Sequence, residues 1–265
     1  MMTQESVVVW NEQAIGRILA CDEFRSLSLA GSKPLYAARM GNEWRVVFAE
    51  ERSPAYEFVD EIIFDGRQVL FRAARDCGRV VVRGDHEGRL YDDVKELYLF
   101  EGEPFYVATR GSSCFTVHGR DEGPRFRTEV ELYRENSGLL DQVRVQHELE
   151  LHGQDRTEPV RRRGPEAGEF IHVLEHPFFA EDRNGKLFVA WGEGEPAFFD
   201  DVSDLVGAGD KPLYRARRGS EEMVVWGADQ SKPYDQIFSL HVEGAHIIFG
   251  TRQERNLYRV SRRIL

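Results

Sequence analysis

The chain has 265 residues and a formal net charge of -11, with an isoelectric point near 5.3. That balance works against broad binding to phosphate backbones or anionic membrane surfaces, both of which reward clustered positive charge. No run approaches the apolar length needed to span a bilayer, and no Pro/Gly/Ser linker interrupts the pattern, so residues 1–265 are expected to form a single domain without a nucleic-acid or membrane partner, as a monomer.

The N-terminal stretch ending in Val7-Val8-Val9-Trp10 lacks a basic n-region and a long apolar h-region, which makes a cytoplasmic location the expectation. From there a ladder runs along the chain. An aromatic residue early in a short strand returns at Tyr36, Phe71, Tyr106, Phe179, Tyr214 and Phe249, at steps of 35, 35, 73, 35 and 35 residues. A second marker lies 15 residues before five of them, at Cys21, Tyr56, Tyr91, Phe199 and Tyr234, and Phe126 continues its 35-residue spacing after Tyr91. An acid follows it at Asp22, Glu57, Asp92, Asp200 and Asp235, and an apolar position follows at Phe24, Val59, Val94, Val202 and Ile237. An alternating run such as Leu97-Tyr98-Leu99 has the period of a half-buried strand. Turns such as Asp65-Gly66 and Glu243-Gly244 close it. The ladder strand opens with proline at Pro34, Pro104, Pro177 and Pro212, which a strand's first residue tolerates. A last strand follows, such as Val80-Val81-Val82 or Met223-Val224-Val225-Trp226.

In Tyr91 to Phe100 the apolar period slips between Val94 and Leu97. The slip suggests two short strands on different sheets, the Tyr-Asp-x-Val stretch forming the outer edge of one unit and the alternating run the inner strand of the next. Units of about 35 residues with four short strands cannot bury their own faces and stack on neighbours. The fold expected is an all-β β-propeller of seven blades, one of them eroded between His118 and Pro177. Strand-like segments at both ends suggest closure by pairing of N- and C-terminal strands, which removes two open sheet edges.

Trp226-Gly227, Lys232-Pro233-Tyr234-Asp235 and the Glu243-Gly244 turn resemble TolB-type and WD-like propeller repeats, and bacterial WG repeats. The resemblance implies a propeller and an interaction or recognition role. It implies no catalytic residues.

Cys21, Cys77 and Cys114 are an odd number in different repeats with no metal spacing, and read as free thiols, Cys21 as a buried filler in an aromatic slot. No motif for a nucleophile, phosphate loop or metal is present, so no metal or cofactor is expected. The recurring acids face recurring bases at Arg39, Arg75, Arg110, Arg217 and Arg252, which favours a structural network over a cation ring. His118 and His152 stand where other units have Trp191 and Trp226. His147, His152, His172 and His176 cluster in the irregular stretch, as does RTEPVRRRGPEAGE with Arg156, Arg161, Arg162 and Arg163, a basic tract in an acidic protein. These eight residues are the candidate partner site, the histidines as pH-sensitive contacts. The function favoured is a non-enzymatic scaffold binding a protein or peptide through a rim or the central funnel. Its alternatives are a propeller-class hydrolase or lyase assembled from several blades, or a carbohydrate-binding lectin.

Overall fold

The computed structural model of the chain describes residues 10–152, 169–173, 176–183, 185–191 and 197–264. After β1 (Asn11–Arg17), the strands group into antiparallel meanders in chain order. The first sheet holds β2 (Glu23–Ala30), β3 (Lys33–Met40), β4 (Glu43–Phe48) and β5 (Glu51–Arg52). The second holds β6 (Phe58–Phe64), β7 (Val69–Arg75), β8 (Gly78–Arg83) and β9 (His86–Glu87). The third holds β10 (Asp93–Phe100), β11 (Glu103–Arg110), β12 (Ser113–His118) and β13 (Asp121–Glu122). Two helices follow, α1 (Glu129–Glu135) and α2 (Ser137–His152). The fourth sheet shows β14 (Glu169–Val173), β15 (His176–Asp182) and β16 (Leu187–Ala190) among the described residues. The fifth holds β17 (Asp201–Ala208), β18 (Lys211–Arg218), β19 (Glu221–Trp226) and β20 (Asp229–Gln230). The sixth is ordered β1, β23 (Asn256–Arg263), β22 (His246–Gln253), β21 (Gln236–Glu243).

The chain divides into two compact units, residues 19–156 and residues 1–18 with 157–265. In the first unit, the second sheet is apolar on both faces. Adjacent residues of β7 point to opposite sides, Phe71 joining a cluster with Leu35, Trp44 and Val46 of the first sheet, and Leu70 one with Tyr91, Tyr106 and Phe115 of the third. In the second unit β18 does the same, Tyr214 packing towards Phe178 and Phe199 and Leu213 towards Ile247, Phe249 and Val260 of the sixth sheet.

The third sheet is covered differently. Its face bearing Phe105, Val107 and Cys114 packs against Leu132, Leu140 and Val143 of the helices. The seventh, eroded blade expected between His118 and Pro177 is therefore not a strand unit over residues 129–152. Thr128 caps α1, its Oγ1 accepting from Glu131 N at 3.2 Å, and the buried Leu140, Val143 and His147 fall on one helical face. Asp141, which occupies the ladder position, lies in α2.

The mid-strand slip is a bulge within one strand, not a join between two sheets. Register shifts interrupt β2, β6, β10, β17 and β21 at equivalent places. Ser26, Glu61, Glu96, Asp204 and Ser239 there have φ between 46° and 55°, as an extra residue in a ladder requires. The seam between successive repeats lies one step earlier. Tyr56, Tyr91, Phe126, Phe199 and Tyr234 each bridge to the third strand of the preceding sheet, while the acid and the following apolar residue start the next one. Cys21 is half-buried, not a buried filler; Cys77 is exposed and Cys114 buried, and among the described residues none of the three is in a disulfide.

The expected pairing of the ends is present. β1 pairs antiparallel with β23, from Asn11 opposite Ser261 to Arg17 opposite Asn256. A recurring hydrogen bond shows that β1 fills the role of a fourth strand. Tyr56 donates through its hydroxyl to Glu87 on β9 (2.8 Å), and Tyr91 to Glu122 on β13 (3.3 Å), each 31 residues on. Tyr234 instead donates to Glu12 on β1, at 2.9 Å.

Deleting residues 1–20 is expected to expose the β23 edge and remove the Tyr234 acceptor, lowering the melting temperature and the cooperativity of unfolding. An unchanged melting curve would exclude β1 as a stabilising strand. Alkali offers a second check. Burial raises the hydroxyl pKa of Tyr56, Tyr91, Tyr106 and Tyr234, and pushes that of Tyr214 up to about 12. Because the folded values lie above the unfolded value of about 10, this stabilisation is complete below pH ~10 and is lost as pH rises towards the folded values. Tyrosinate absorbance is expected to develop with loss of strand circular dichroism; full ionisation of all tyrosines in a still-folded chain would contradict the burial.

Candidate functional site

The recurring acid is used inside each repeat. The Oδ2 atoms of Asp22, Asp92 and Asp200 accept from Gly41 N, Gly111 N and Gly219 N at 2.7, 2.6 and 2.6 Å, and that of Asp235 from Glu254 N at 2.5 Å. Each acceptor lies 19 residues before its donor, so the residue opening a sheet is tied to the loop between its second and third strands. These loop residues have φ of 63°, 60°, 61° and 55°, a conformation glycine adopts freely. In the second sheet Glu57 replaces the aspartate, and the loop is Asp76-Cys77. The Lys186 ammonium, followed by the Gly219 amide, holds the Asp200 carboxyl below the usual carboxylate range.

The recurring arginines complete this network more often through the loop than through the acid. Arg39, Arg217 and Arg252 donate to the carbonyls of Gly41, Gly219 and Glu254 at 3.2, 3.1 and 2.9 Å. Arg110 pairs with Glu122 at 2.8 Å, and Arg75 pairs with Glu87. Arg252 also approaches Asp235, at 3.8 Å. Each recurring acid is thus tied to the loop of its own sheet, as a structural network requires.

His118 stands in for a tryptophan in function as well as position. Its Nε2 donates to Phe100 O at 3.1 Å, just as Trp226 Nε1 donates to Ala208 O at 2.8 Å, 18 residues back in both cases. Its ring meets those of both Phe100 and Phe105, at 5.4 and 6.2 Å between ring centres.

Of the partner-site candidates, Arg156, Arg161, Arg162 and Arg163 lie outside the described residues. His152 ends α2, and the register pairs His172 with Pro177 and His176 with Val173 across β14 and β15. His147 is placed inside, 9% exposed. Its Nδ1 accepts from Leu99 N at 2.9 Å and its ring meets Tyr98 edge-on at 5.2 Å. Leu99 lies just past the β10 bulge, where the shifted register needs an acceptor from outside the sheet. The bulge residue Glu96 is held from the same helices, accepting from Tyr133 Oη at 2.8 Å and pairing with Arg144 at 3.1 Å. His147 thus fastens α2 to the third sheet.

The outer face of α2 is available. At about 100° per residue, Val145 and Leu149 point roughly away from Leu140, Val143 and His147. They are 62% and 48% exposed, and Val130 on α1 is 76% exposed. A separate cleft of about 590 Å³ lies on the sixth sheet, lined by Glu243, His246, Ile248, Arg259, Ser261 and Arg263 among others. Among the described residues no group of three or more His, Cys, Asp or Glu side chains is arranged to hold a metal ion, and no helix is long and apolar enough to cross a membrane.

Neither a protein-family model nor a curated protein matches the chain. Among solved structures, the β-propeller domain of the Trilobed protease from Pyrococcus furiosus, described as having an open velcro topology, aligns with 91% of this chain and 97% of its own. Its identity is 11% and the TM-score 0.38. The AfRom2 CNH domain aligns over 95% and 98%, with 8% identity and a TM-score of 0.35. At these scores the likenesses carry no argument about activity, which has to come from this chain's own residues.

Replacing His147 by Leu is expected to leave the Leu99 amide without an acceptor and cost about 1–3 kcal/mol. A denaturant titration checks this; a midpoint equal to wild type would mean that the ring does not anchor the helix.

Proposed function

We propose that the chain is a non-enzymatic β-propeller interaction module, its sheets serving as blades, with α1–α2 and the basic tract that follows receiving a protein or peptide partner. The observation that carries this reading is the exposed Val145 and Leu149 on the face of α2 turned from the third sheet. The repeat spends its recurrent polar side chains on its own loops. The helical pair departs from that pattern, and its Val130 and Val145 are the most exposed large apolar side chains among the described residues, at 76% and 62%; apolar side chains grouped on an exposed face suit a contact surface. In sequence, α2 is followed within a few residues by Arg156 and then by Arg161, Arg162 and Arg163. Apolar anchors followed by a basic tract suit an acidic segment carrying apolar side chains, such as an acidic amphipathic helix.

The test is selection of a random displayed peptide library on the full chain. Acidic peptides with apolar anchors are expected to be enriched. Their binding is expected to fall about tenfold or more in Val145→Lys or Leu149→Lys, a loss of about 1.4 kcal/mol or more. Replacing Arg161, Arg162 and Arg163 together by Ser is expected to weaken binding and flatten its salt dependence. Peptides without acidic character, or binding untouched by both sets of variants, would overturn the reading.

A further inference from the structure

The cleft on the sixth sheet carries positive side chains that the fold does not use. Arg259, Ser261 and Arg263 alternate along one face of β23. Across the ladder Arg263 stands opposite His246, and Ser261 opposite Ile248. The β21–β22 loop brings Glu243 opposite His246 at the same end. The strand partner of Arg259 is Gly250, whose missing side chain leaves room for the Phe238 ring, 2.1 Å from where a Cβ would stand.

The arginine on the other face of β23 shows what a structural arginine looks like in this sheet. Arg262 pairs with Asp229 at 2.6 Å and stacks on Trp226 and Trp10 at 4.4 and 5.0 Å from the ring centres. Arg259 and Arg263 have no carboxylate within ion-pair distance among the described residues, although the chain carries an excess of acids. Arg259 Nε is in addition shut off from solvent with no hydrogen-bond partner. A guanidinium N–H that has lost water and gained no acceptor is costly; the rest of the Arg259 side chain lines the cleft, where an oxyanion supplies acceptors to its outer N–H groups.

We propose that this cleft binds a small oxyanion-bearing ligand, a phosphate or carboxylate compound. Arg259 and Arg263 flank its charged group, and the Ser261 hydroxyl and His246 ring lie between and beside them. Guanidinium groups match the planar oxygen pairs of both anions. Glu243 at the rim repels a bare anion and accepts from a hydroxyl or ammonium group, so it favours a ligand carrying such a donor near its anionic end. The volume of about 590 Å³ suits a small molecule.

The experiment titrates the full chain at low ionic strength with O-phosphoserine and, separately, with aspartate, each of which carries an ammonium group beside its anions. Calorimetry gives the affinity, and amide chemical shifts give the place. Saturable binding of either compound, with shifts concentrated at residues 243–248 and 259–263, is expected; the one that binds more tightly identifies the anion. Arg259→Gln and Arg263→Gln are each expected to weaken it about tenfold or more, while Arg67→Gln, an arginine in the other unit, leaves it unchanged. Arg263 is exposed, so its variant tests the site even if Arg259→Gln fails to fold. Non-saturable binding of both compounds, shifts scattered over other surfaces, or equal weakening by Arg67→Gln would overturn the proposal.

Discussion

A β-sheet that is apolar on both faces needs a cover on each, and the packing of this protein follows from that demand. The ladder strands contain no polar face to offer water: Leu70 and Phe71 are 0% and 1% exposed though they point to opposite sides. At roughly 25 cal/mol per Å² of apolar surface, exposing either face would outweigh most single polar contacts in the molecule. Within one unit the second sheet therefore lies between the first and third, and within the other the fifth lies between the fourth and sixth. The third sheet meets the same demand with helices, because Leu132, Leu140 and Val143 present an apolar stripe of suitable width. A covering layer need not be a strand unit; it needs only an apolar face.

Polar groups then refine what burial sets up. The aspartate that opens a sheet binds an amide in the loop at that sheet's far corner, which fixes the first three strands in register without any contact to another sheet. The bulge residues act between neighbours. Glu61 accepts from Leu97 N of the next sheet at 3.2 Å, and Arg72 reaches from Asp60 to Val94 O at 2.6 Å. Arg215 does the equivalent with Ser203 and Ile237 O at 3.0 Å in both cases. Where helices replace the neighbouring sheet, His147 and Arg144 take over these roles towards Leu99 and Glu96.

The sequence shows most of this where a residue recurs at a fixed offset. Offsets of 35 residues reveal the ladder, and the acid next to each marker reveals the loop tie, because every copy solves the same local problem. The apolar slip in Tyr91 to Phe100 was legible as an irregularity but not as a bulge. A shift of register and a change of sheet leave the same trace in an alternating pattern, and only the φ of Glu96 separates them. The helices are masked by the repeat around them. Thr128-x-x-Glu131 is a helix-start signal, and Leu140, Val143 and His147 have helical spacing, yet in the 35-residue register the same residues look like an eroded strand unit. The arginine cleft was out of reach, since Arg259 and Arg263 differ from Arg262 only in lacking a partner, and partners come from other strands.

The pairing of β1 with β23 also constrains the order of events during synthesis. Asn11 waits for Ser261, so β1 leaves the ribosome when its partner has not yet been made, whereas the sheet formed by β2 to β5 has all its strands soon after residue 52 emerges. The last sheet is thus the one whose assembly waits longest, until β23 has emerged. Until then β1 is an unpaired strand open to wrong partners, and its first residues suit that wait: Asn11, Glu12 and Gln13 are polar, which keeps a solitary strand from adhering to others. A chain interrupted before β23 retains that free strand, with an open hydrogen-bonding edge that β23 otherwise covers.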